Sequence, residues 1–225
     1  MATSARMVSR GWYPNTQIVA DHVFETVSSE TLFQGAIFAL RQDRVRMPGG
    51  SVAKREIVEH YGAVAIVAMD EHGRIPLVYQ YRHTFRRRLL ELPAGLLDVA
   101  GEPPHLAAVR ELHEEVGLRA ATWRVLVDLN TAPGFSDESV RVYLATDLTD
   151  VGRPEAHDEE ADMTMDWYPI EEAVRLVMRG EIVNSIAISG ILAAHAVMTG
   201  VAESRSLDTP WADRPRAFAA RKAAQ

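Results

Sequence analysis

The sequence predicts an α/β fold with a mixed sheet (α+β). The expected architecture is an α/β/α sandwich with an extra N-terminal β-segment. Its segments follow the order strands, helix, strands, helices, which suits a mixed sheet covered by helices. The run from Ala63 to Met69 is apolar throughout, as is typical of a strand buried on both faces. A chain of 225 residues that is 47% hydrophobic can bury a full core, and it fits one domain with extensions.

The first third of the chain predicts strands after a short tail. Residues 1–16 show no hydrophobic periodicity and are expected to form a mobile tail. Short β-prone stretches predict an N-terminal β-segment over residues 17–61. Its expected strands lie at 23–27, 32–40, 44–47 and 52–60, with a turn at Gln42-Asp43. The apolar strand that follows is expected to turn at 70–74 and to return as a strand over 75–81.

The remaining sequence predicts the helices and the other strands. A helix is expected from Pro104 to Val116, because prolines suit a first helical turn and Gly117 suits the end. The other expected elements are strands at 123–129 and 140–146, a strand ending at 167–168, and helices at 169–179 and 186–198. Residues 62–200 are thus expected to form the main domain. Residues 201–225 are expected to be a C-terminal tail that wraps the surface or frays.

Composition narrows the possible partners. The net charge of −7 argues against nonspecific binding of nucleic acid. The chain has no cysteine, so a metal site would have to use oxygen or imidazole ligands. No apolar run approaches the roughly 20 residues that span a membrane. We therefore expect a soluble, cytoplasmic protein with neither nucleic acid nor membrane as a partner.

The segment Arg110–Leu118 is the most informative part of the chain. Helical spacing places Glu111, Glu114 and Glu115 on one side. Apolar residues are expected on the other side, namely Leu106, Val109, Leu112 and Val116. Crowded carboxylates repel one another unless a cation lies between them, so the helix predicts a divalent metal site acting on phosphates. The alternative is an ordinary solvated acidic face.

The sequence before the helix supports the metal interpretation. Residues 91–98 contain Gly95, and a glycine-containing loop allows backbone carbonyls to join carboxylates around a metal. Mg²⁺ prefers six oxygen ligands, some of them water or phosphate. Arg110 is expected to pair with Glu102 or with a glutamate of the helix and to brace the group.

These residues carry a resemblance to a known family. Glu102, followed after seven residues by the segment Arg110–Leu118, resembles the Nudix box of hydrolases that act on nucleoside diphosphates linked to another moiety. The spacing from Gly95 to Glu102 is one residue longer than in the family pattern. Pro133, fifteen residues beyond Leu118, resembles the mark of the ADP-ribose pyrophosphatase branch, above all its mycobacterial members. The segments 80–82 and 91–95 resemble that branch as well.

The resemblance implies a function and a metal site. It implies hydrolysis of ADP-ribose to AMP and ribose 5-phosphate, with Mg²⁺ or Mn²⁺, by a homodimer that exchanges N-terminal segments. Glu111, Glu115 and the Ala94 carbonyl would be direct metal ligands. Glu114 would be a catalytic residue that reaches the metal through water. Other nucleoside diphosphate derivatives, such as a sugar nucleotide or an oxidised nucleotide, remain alternatives, as does a module that binds ADP-ribose without cleaving it.

The resemblance also places a catalytic base and substrate contacts outside the helix. The acidic loop 157–162 would supply Glu160 as the base, Glu159 as the alternative base and Asp162 as a further metal contact. A solvated acidic run is the competing interpretation of this loop. The expected substrate-binding residues are Phe33, Arg55, Glu56, Arg82, Leu96 and Glu138. For Arg55 the alternative is an ordinary strand-end arginine, and for Phe33 it is packing in the core.

Overall fold

The computed structural model describes residues 22–155 and 162–224, and within them the chain forms ten strands and four helices. The strands are β1 (Thr26–Gln34), β2 (Phe38–Arg46), β3 (Val52–His60), β4 (Ala63–Ala68), β5 (Arg74–Arg82), β6 (Arg87–Glu91), β7 (Ala94–Leu96), β8 (Leu118–Asn130), β9 (Ser139–Asp150) and β10 (Thr164–Pro169). The helices are α1 (Pro104–Val116), α2 (Ile170–Met178), α3 (Ser185–Met198) and α4 (Ala217–Ala223). The expected tail at 1–16 lies outside the described residues.

The central sheet is mixed, as the sequence predicts. Its strand order is β7-β4-β9-β8, with β4 and β9 parallel and the other pairs antiparallel. Alternate residues of β4 point to opposite faces, so Ile66 packs towards α1 and Val67 towards α3. Helix α1 covers one face and α3 the other, which gives the predicted three-layer sandwich.

The N-terminal sheet has the order β1-β2-β3, and here the predicted turn is wrong. The chain reverses after Gly35, whose N–H donates to the carbonyl of Phe38 at 2.8 Å. Gln42 and Asp43 instead lie within β2, where Asp43 is only 4% exposed and pairs with Arg41 at 2.9 Å. The polar pair Gln42-Asp43 resembles a turn in the sequence, but it lies within a strand.

The expected return of the chain beside β4 is also wrong. A turn does form, since the N–H of Asp70 donates to the carbonyl of Arg74 at 3.0 Å. Beyond it, however, β5 joins a separate antiparallel sheet of order β10-β5-β6. The reason is that β4 is already paired on both edges, with β7 and β9, and has no free edge for β5.

The C-terminal residues wrap the surface and end in α4. Phe218 of α4 is fully buried, and its ring packs edge-on against Tyr61 with centroids 4.6 Å apart. Arg221 donates to Glu59 of β3 at 2.8 Å and to Thr31 of β1 at 2.6 Å. Helix α4 thereby fastens the N-terminal sheet. In the ranges 22–155 and 162–224, no helix has the length and apolar character needed to cross a membrane.

Candidate functional site

The acidic helix α1 starts and ends where the sequence predicts, but its faces differ from the expectation. Gly117 ends it in the left-handed conformation, with φ of 71°. Leu106 was assigned to the apolar face, but it is 46% exposed. Glu111 and Glu115 are 8% and 5% exposed, so they lie on the buried side, while the side chain of Glu114 is 40% exposed. The three carboxylates therefore differ in their access to solvent.

The two buried carboxylates face β7. The backbone N–H of Ala94 donates to Glu115 Oε2 at 2.9 Å. At Gly95, an added Cβ would lie 1.9 Å from Glu111 Oε1, so only glycine allows this strand to approach the helix so closely. The structure therefore brings Ala94, Glu111 and Glu115 together, and their roles as metal ligands stay a prediction.

Arg110 holds three carboxylates together. Its Nη1 donates to Glu111 Oε1 at 2.7 Å and to Glu114 Oε2 at 2.9 Å. Its Nε and Nη2 donate to the two oxygens of Glu102 at 3.3 and 3.2 Å. Burial alone would lower the pKa of Arg110, but the hydrogen bonds and charges of these carboxylates raise it above its ordinary value. The predicted bracing role of Arg110 is confirmed.

This donor set fits a hard divalent cation. The carboxylate oxygens of Glu111 and Glu115 lie beside β7, and Mg²⁺ prefers oxygen ligands. Among the described residues, no three acidic or histidine side chains already form a complete ligand cluster. A metal here would thus need the backbone and substrate oxygens as well, which agrees with the tendency of Mg²⁺ to use few carboxylates.

Arg82 is held in place by a partner to which the sequence analysis gave no role. Its Nε and Nη2 donate to the two oxygens of Glu91 at 3.1 and 2.7 Å. Glu91 is only 3% exposed, whereas the side chain of Arg82 is 41% exposed. A buried carboxylate that accepts hydrogen bonds from two nitrogens of a guanidinium fixes the direction of that side chain. The antiparallel pairing of β5 with β6, which the sequence does not display, brings the two residues together.

Three of the other predicted substrate contacts, Phe33, Arg55 and Glu56, lie on the N-terminal sheet. Glu56 of β3 accepts a hydrogen bond from Gln42 at 3.1 Å, and Arg55 donates to the carbonyl of Lys54 at 2.8 Å. Phe33 is 53% exposed and contacts Phe38, which rules out packing in the core. Within the described part of a single chain, no hydrogen bond or ion pair joins these residues to α1.

Glu138 belongs to the loop after β8, and this loop is tied to β3. The N–H of Val58 donates to the carbonyl of Phe135 at 2.7 Å, and the N–H of His60 donates to Asp137 at 2.8 Å. Burial raises the pKa of Asp137. Glu138 lies 3.5 Å from His60 Nδ1, and it also accepts from Thr131. The sequence gives no signal for this docking, because the partners are more than seventy positions apart.

The remaining predicted residues have varied positions. Glu159 and Glu160 lie outside the described residues, so both stay predictions. Asp162 pairs with Arg88 of β6 rather than with α1, and its role as a metal contact also stays a prediction. Leu96 ends β7, pairs with Ala63 of β4 and is half-buried against the core.

Comparisons with known proteins identify two family matches. A family model described as "NUDIX domain" matches residues 58–186. A second, "Nucleoside diphosphate sugar hydrolase N-terminal domain", matches residues 24–58.

Curated relatives and a solved structure agree with this. The chain is 76% identical over 205 residues to an "ADP-ribose pyrophosphatase" of Mycobacterium tuberculosis, covering 91% of this chain and 99% of the relative. It is 37% identical to an "ADP-ribose pyrophosphatase" of Bacillus subtilis, covering 72% and 86%, and 34% identical to a "Methanol dehydrogenase activator" of Bacillus methanolicus, covering 74% and 90%. A solved "ADP compounds hydrolase" has a TM-score of 0.69 at 20% identity, covering 80% of this chain and 96% of that one, and it supports the fold alone.

Proposed function

The chain belongs to the NUDIX family, and on that premise we propose that it hydrolyses the diphosphate of ADP-ribose to AMP and ribose 5-phosphate. The observation that carries the proposal is the pair of buried carboxylates, Glu111 and Glu115, against the glycine of β7. A diphosphate brings negative charge to a site that is already acidic, so the reaction needs a cation there. The 76% identity to a protein named for this activity selects the substrate.

Glu111, Glu115 and the Ala94 carbonyl would hold Mg²⁺ or Mn²⁺. When bound, such a cation neutralises the diphosphate and acidifies water. Glu114, which is more exposed than its two neighbours, would orient water at the metal. Arg110 keeps Glu102, Glu111 and Glu114 from moving apart, which restricts the geometry of this carboxylate group before a metal binds.

Arg82 would bind the phosphate or ribose oxygens of the substrate. Because Glu91 fixes its guanidinium, the Arg82 side chain points in a defined direction and loses little freedom on binding. Leu96, Glu138 and the residues of the N-terminal sheet would complete the substrate contacts. Positioning of this kind supplies much of the rate in phosphoryl transfer.

We assign the general base to Glu160, with Asp162 as a further metal contact. The base takes the proton from the attacking water as the bond to phosphorus forms. Glu160→Gln should lower kcat strongly, while the binding of metal and substrate is retained. A comparable loss in Glu159→Gln, with Glu160→Gln nearly as active as the natural protein, would move the base to Glu159.

We propose that the protein acts as a homodimer through its N-terminal sheet. The sheet exposes large apolar side chains, with Phe33 at 53%, Leu32 at 47% and Val27 at 45%. Among the described residues of one chain, no hydrogen bond or ion pair joins Phe33, Arg55 or Glu56 to α1, so in the proposed dimer a second copy would bring them to a metal site. Light scattering on the full chain and on a variant lacking residues 1–47 tests this. A monomer in both cases contradicts the exchange of N-terminal segments.

The substrate is tested by turnover of ADP-ribose in ¹⁸O-labelled water with mass analysis of both products. We expect AMP and ribose 5-phosphate, with the label in one of them. If ADP-ribose binds but is not cleaved at any metal concentration, the protein is a binding module. Residues 24–58 match the N-terminal domain of nucleoside diphosphate sugar hydrolases. This match favours one second candidate substrate, a nucleoside diphosphate sugar other than ADP-ribose, such as GDP-mannose. A higher kcat/KM for GDP-mannose than for ADP-ribose would select it.

We also place the protein in the cytoplasm, where nucleotide metabolites such as the proposed substrate arise. Cell fractionation with activity assays would test this. Recovery of the activity outside the cytoplasmic fraction would contradict it.

A further inference from the structure

The C-terminal segment places two arginines beside the start of α1. Residues 204–216 follow the outer part of the central sheet, where the backbones of Val125 and Arg205 exchange hydrogen bonds of 3.0 and 2.8 Å. Trp211 Nε1 donates to Ser139 Oγ at 3.0 Å and anchors the segment further along. Arg214 and Arg216 follow directly. This location lies on the side of α1 remote from its C-terminal glutamates.

A small cavity lies between these arginines and the helix. Its volume is about 200 Å³, and its lining includes Pro104, His105, Tyr143, Trp211, Arg214 and Arg216. Tyr143 is only 2% exposed, so the floor of the cavity is rigid sheet. Two neighbouring cavities of about 170 and 380 Å³ share both arginines.

The arginines differ from their neighbours in having no carboxylate partner. Arg141 and Arg205 both pair with Asp128, at 2.6 and 2.9 Å. By contrast, no side-chain hydrogen bond or ion pair within 22–155 and 162–224 involves the guanidinium of Arg214 or of Arg216. Burial, and then the positive charge of Arg216, lowers the pKa of Arg214. Two guanidiniums that repel each other at a concave surface would be stabilised by an anion.

The start of α1 adds to the positive potential. Its N-cap, Pro103, offers no side-chain acceptor, and the first turn contains no acidic residue. The positive end of the helix dipole there favours negative charge. His105 of that turn lines the same cavity as the two arginines.

We infer that Arg214 and Arg216 form a second anion site that binds a phosphate group, separate from the metal site. The volume selects the ligand. At about 30 Å³ for each water-sized group, the cavity of about 200 Å³ holds a five-atom phosphate with a few waters. It is smaller than the roughly 300 Å³ or more of pockets that enclose drug-sized ligands. The ligand that fits this cavity is inorganic phosphate or the phosphate group of a phosphomonoester.

The test is a calorimetric titration of the full chain with inorganic phosphate, at constant ionic strength, with EDTA present and no nucleotide. We expect saturable binding that weakens at least tenfold in Arg214→Gln and in Arg216→Gln. Arg119→Gln removes one charge from an exposed strand position and should bind phosphate like the natural protein. Glu115→Gln should also bind normally, because the inferred site is separate from the metal site. The inference does not depend on the proposed reaction.

Further arms identify the ligand and guard against misfolding. Ribose 5-phosphate binding at least as well as inorganic phosphate would assign the site to phosphomonoesters. Weaker binding of the ester would assign it to the free ion. Arg214→Lys, which keeps the charge, should retain part of the affinity even if the glutamine variants fold poorly. Absence of saturable binding to the natural protein, or equal binding by Arg214→Gln and Arg119→Gln, overturns the inference.

Discussion

Replacing Gly95 by alanine should disable the metal site while leaving the fold intact. The new Cβ would lie 1.9 Å from Glu111 Oε1 and 2.0 Å from its Cδ. Ordinary contact begins at 3.4 Å, so the carboxylate must move by about 1.5 Å, the difference between these distances. The backbone at Gly95 is not in the left-handed region, and alanine is therefore tolerated there apart from this collision.

The size of the effect follows from that displacement. Misplacing a catalytic group by 1 Å can cost about 100-fold in rate, or roughly 2.7 kcal/mol. We therefore expect kcat/KM for ADP-ribose to fall about 100-fold in Gly95→Ala. The Mg²⁺ concentration at half-maximal rate should rise about tenfold or more, since perturbing the shell around metal ligands commonly weakens metal binding by that amount. Initial rates of AMP release over a range of Mg²⁺ concentrations measure both quantities, and circular dichroism checks the fold.

A double-mutant cycle shows whether the effect passes through Glu111. If it does, Gly95→Ala should cost little more in a protein that already carries Glu111→Ala. Two outcomes would refute the reasoning. One is a Gly95→Ala protein with the natural Mg²⁺ response and rate. The other is a full additional loss in the Glu111→Ala background.

Three further predictions concern Glu115 of α1, the ion pair of Arg221 with Glu59, and Gly117 at the end of α1. Glu115→Gln should abolish nearly all turnover with an unchanged circular dichroism spectrum, and substantial activity at normal Mg²⁺ would exclude Glu115 as a ligand. Arg221→Gln should lower the free energy of unfolding by about 1–3 kcal/mol, because it removes a partner of a buried carboxylate, whereas Arg119→Gln at an exposed strand position should not. Burial raises the pKa of Glu59, but hydrogen bonds from Arg221 and a second arginine lower it below its ordinary 4.5. The lowered pKa of Glu59 adds to the free energy of unfolding above pH 4.5, and this contribution is lost as the pH falls below that value. The free energy of unfolding of Arg221→Gln should therefore depend less on pH below 4.5. Gly117→Ala should lower stability by about 2 kcal/mol or more, because its φ of 71° disfavours alanine and the new Cβ would lie 2.5 Å from the backbone nitrogen of Arg153; an unchanged melting temperature would contradict this.

The local features of the fold could be predicted from the sequence. The helix Pro104–Val116 has the predicted bounds, because proline at its start and Gly117 at its end are local signals. Strand β3 has the predicted bounds as well. The buried run of β4 was visible as a continuous apolar stretch.

The strand pairings could not be predicted from the sequence, because they join residues that lie far apart in the chain. The pairing of β5 with β10 rather than β4 depends on which edges remain free, and no local pattern records that. Gln42 and Asp43 resemble a turn until their strand partners in β3 are known.

The same division holds for the site. The carboxylates of α1 could be proposed as metal ligands from helical spacing and from the resemblance, but the degree of burial of each carboxylate could not be predicted. Glu91 lies in the segment 91–95 that resembles the family, but its hydrogen bonds with Arg82 depend on the pairing of β5 with β6. Leu106 has an apolar side chain but faces solvent, because the buried stripe of α1 runs through Ala108 and Leu112.

The clasp formed by α4 has a consequence for biosynthesis. Arg221 bonds to Glu59, 162 positions earlier, and to Thr31, 190 positions earlier. During translation the N-terminal sheet emerges long before the residue that fastens it, and its apolar surface stays unsecured until Arg221 has been made. In that interval a neighbouring nascent chain could pair with it. A tag fused after Gln225 would prolong the wait, whereas one at Met1 would not. The position of a tag should therefore affect the yield of assembled protein more than its stability once folded.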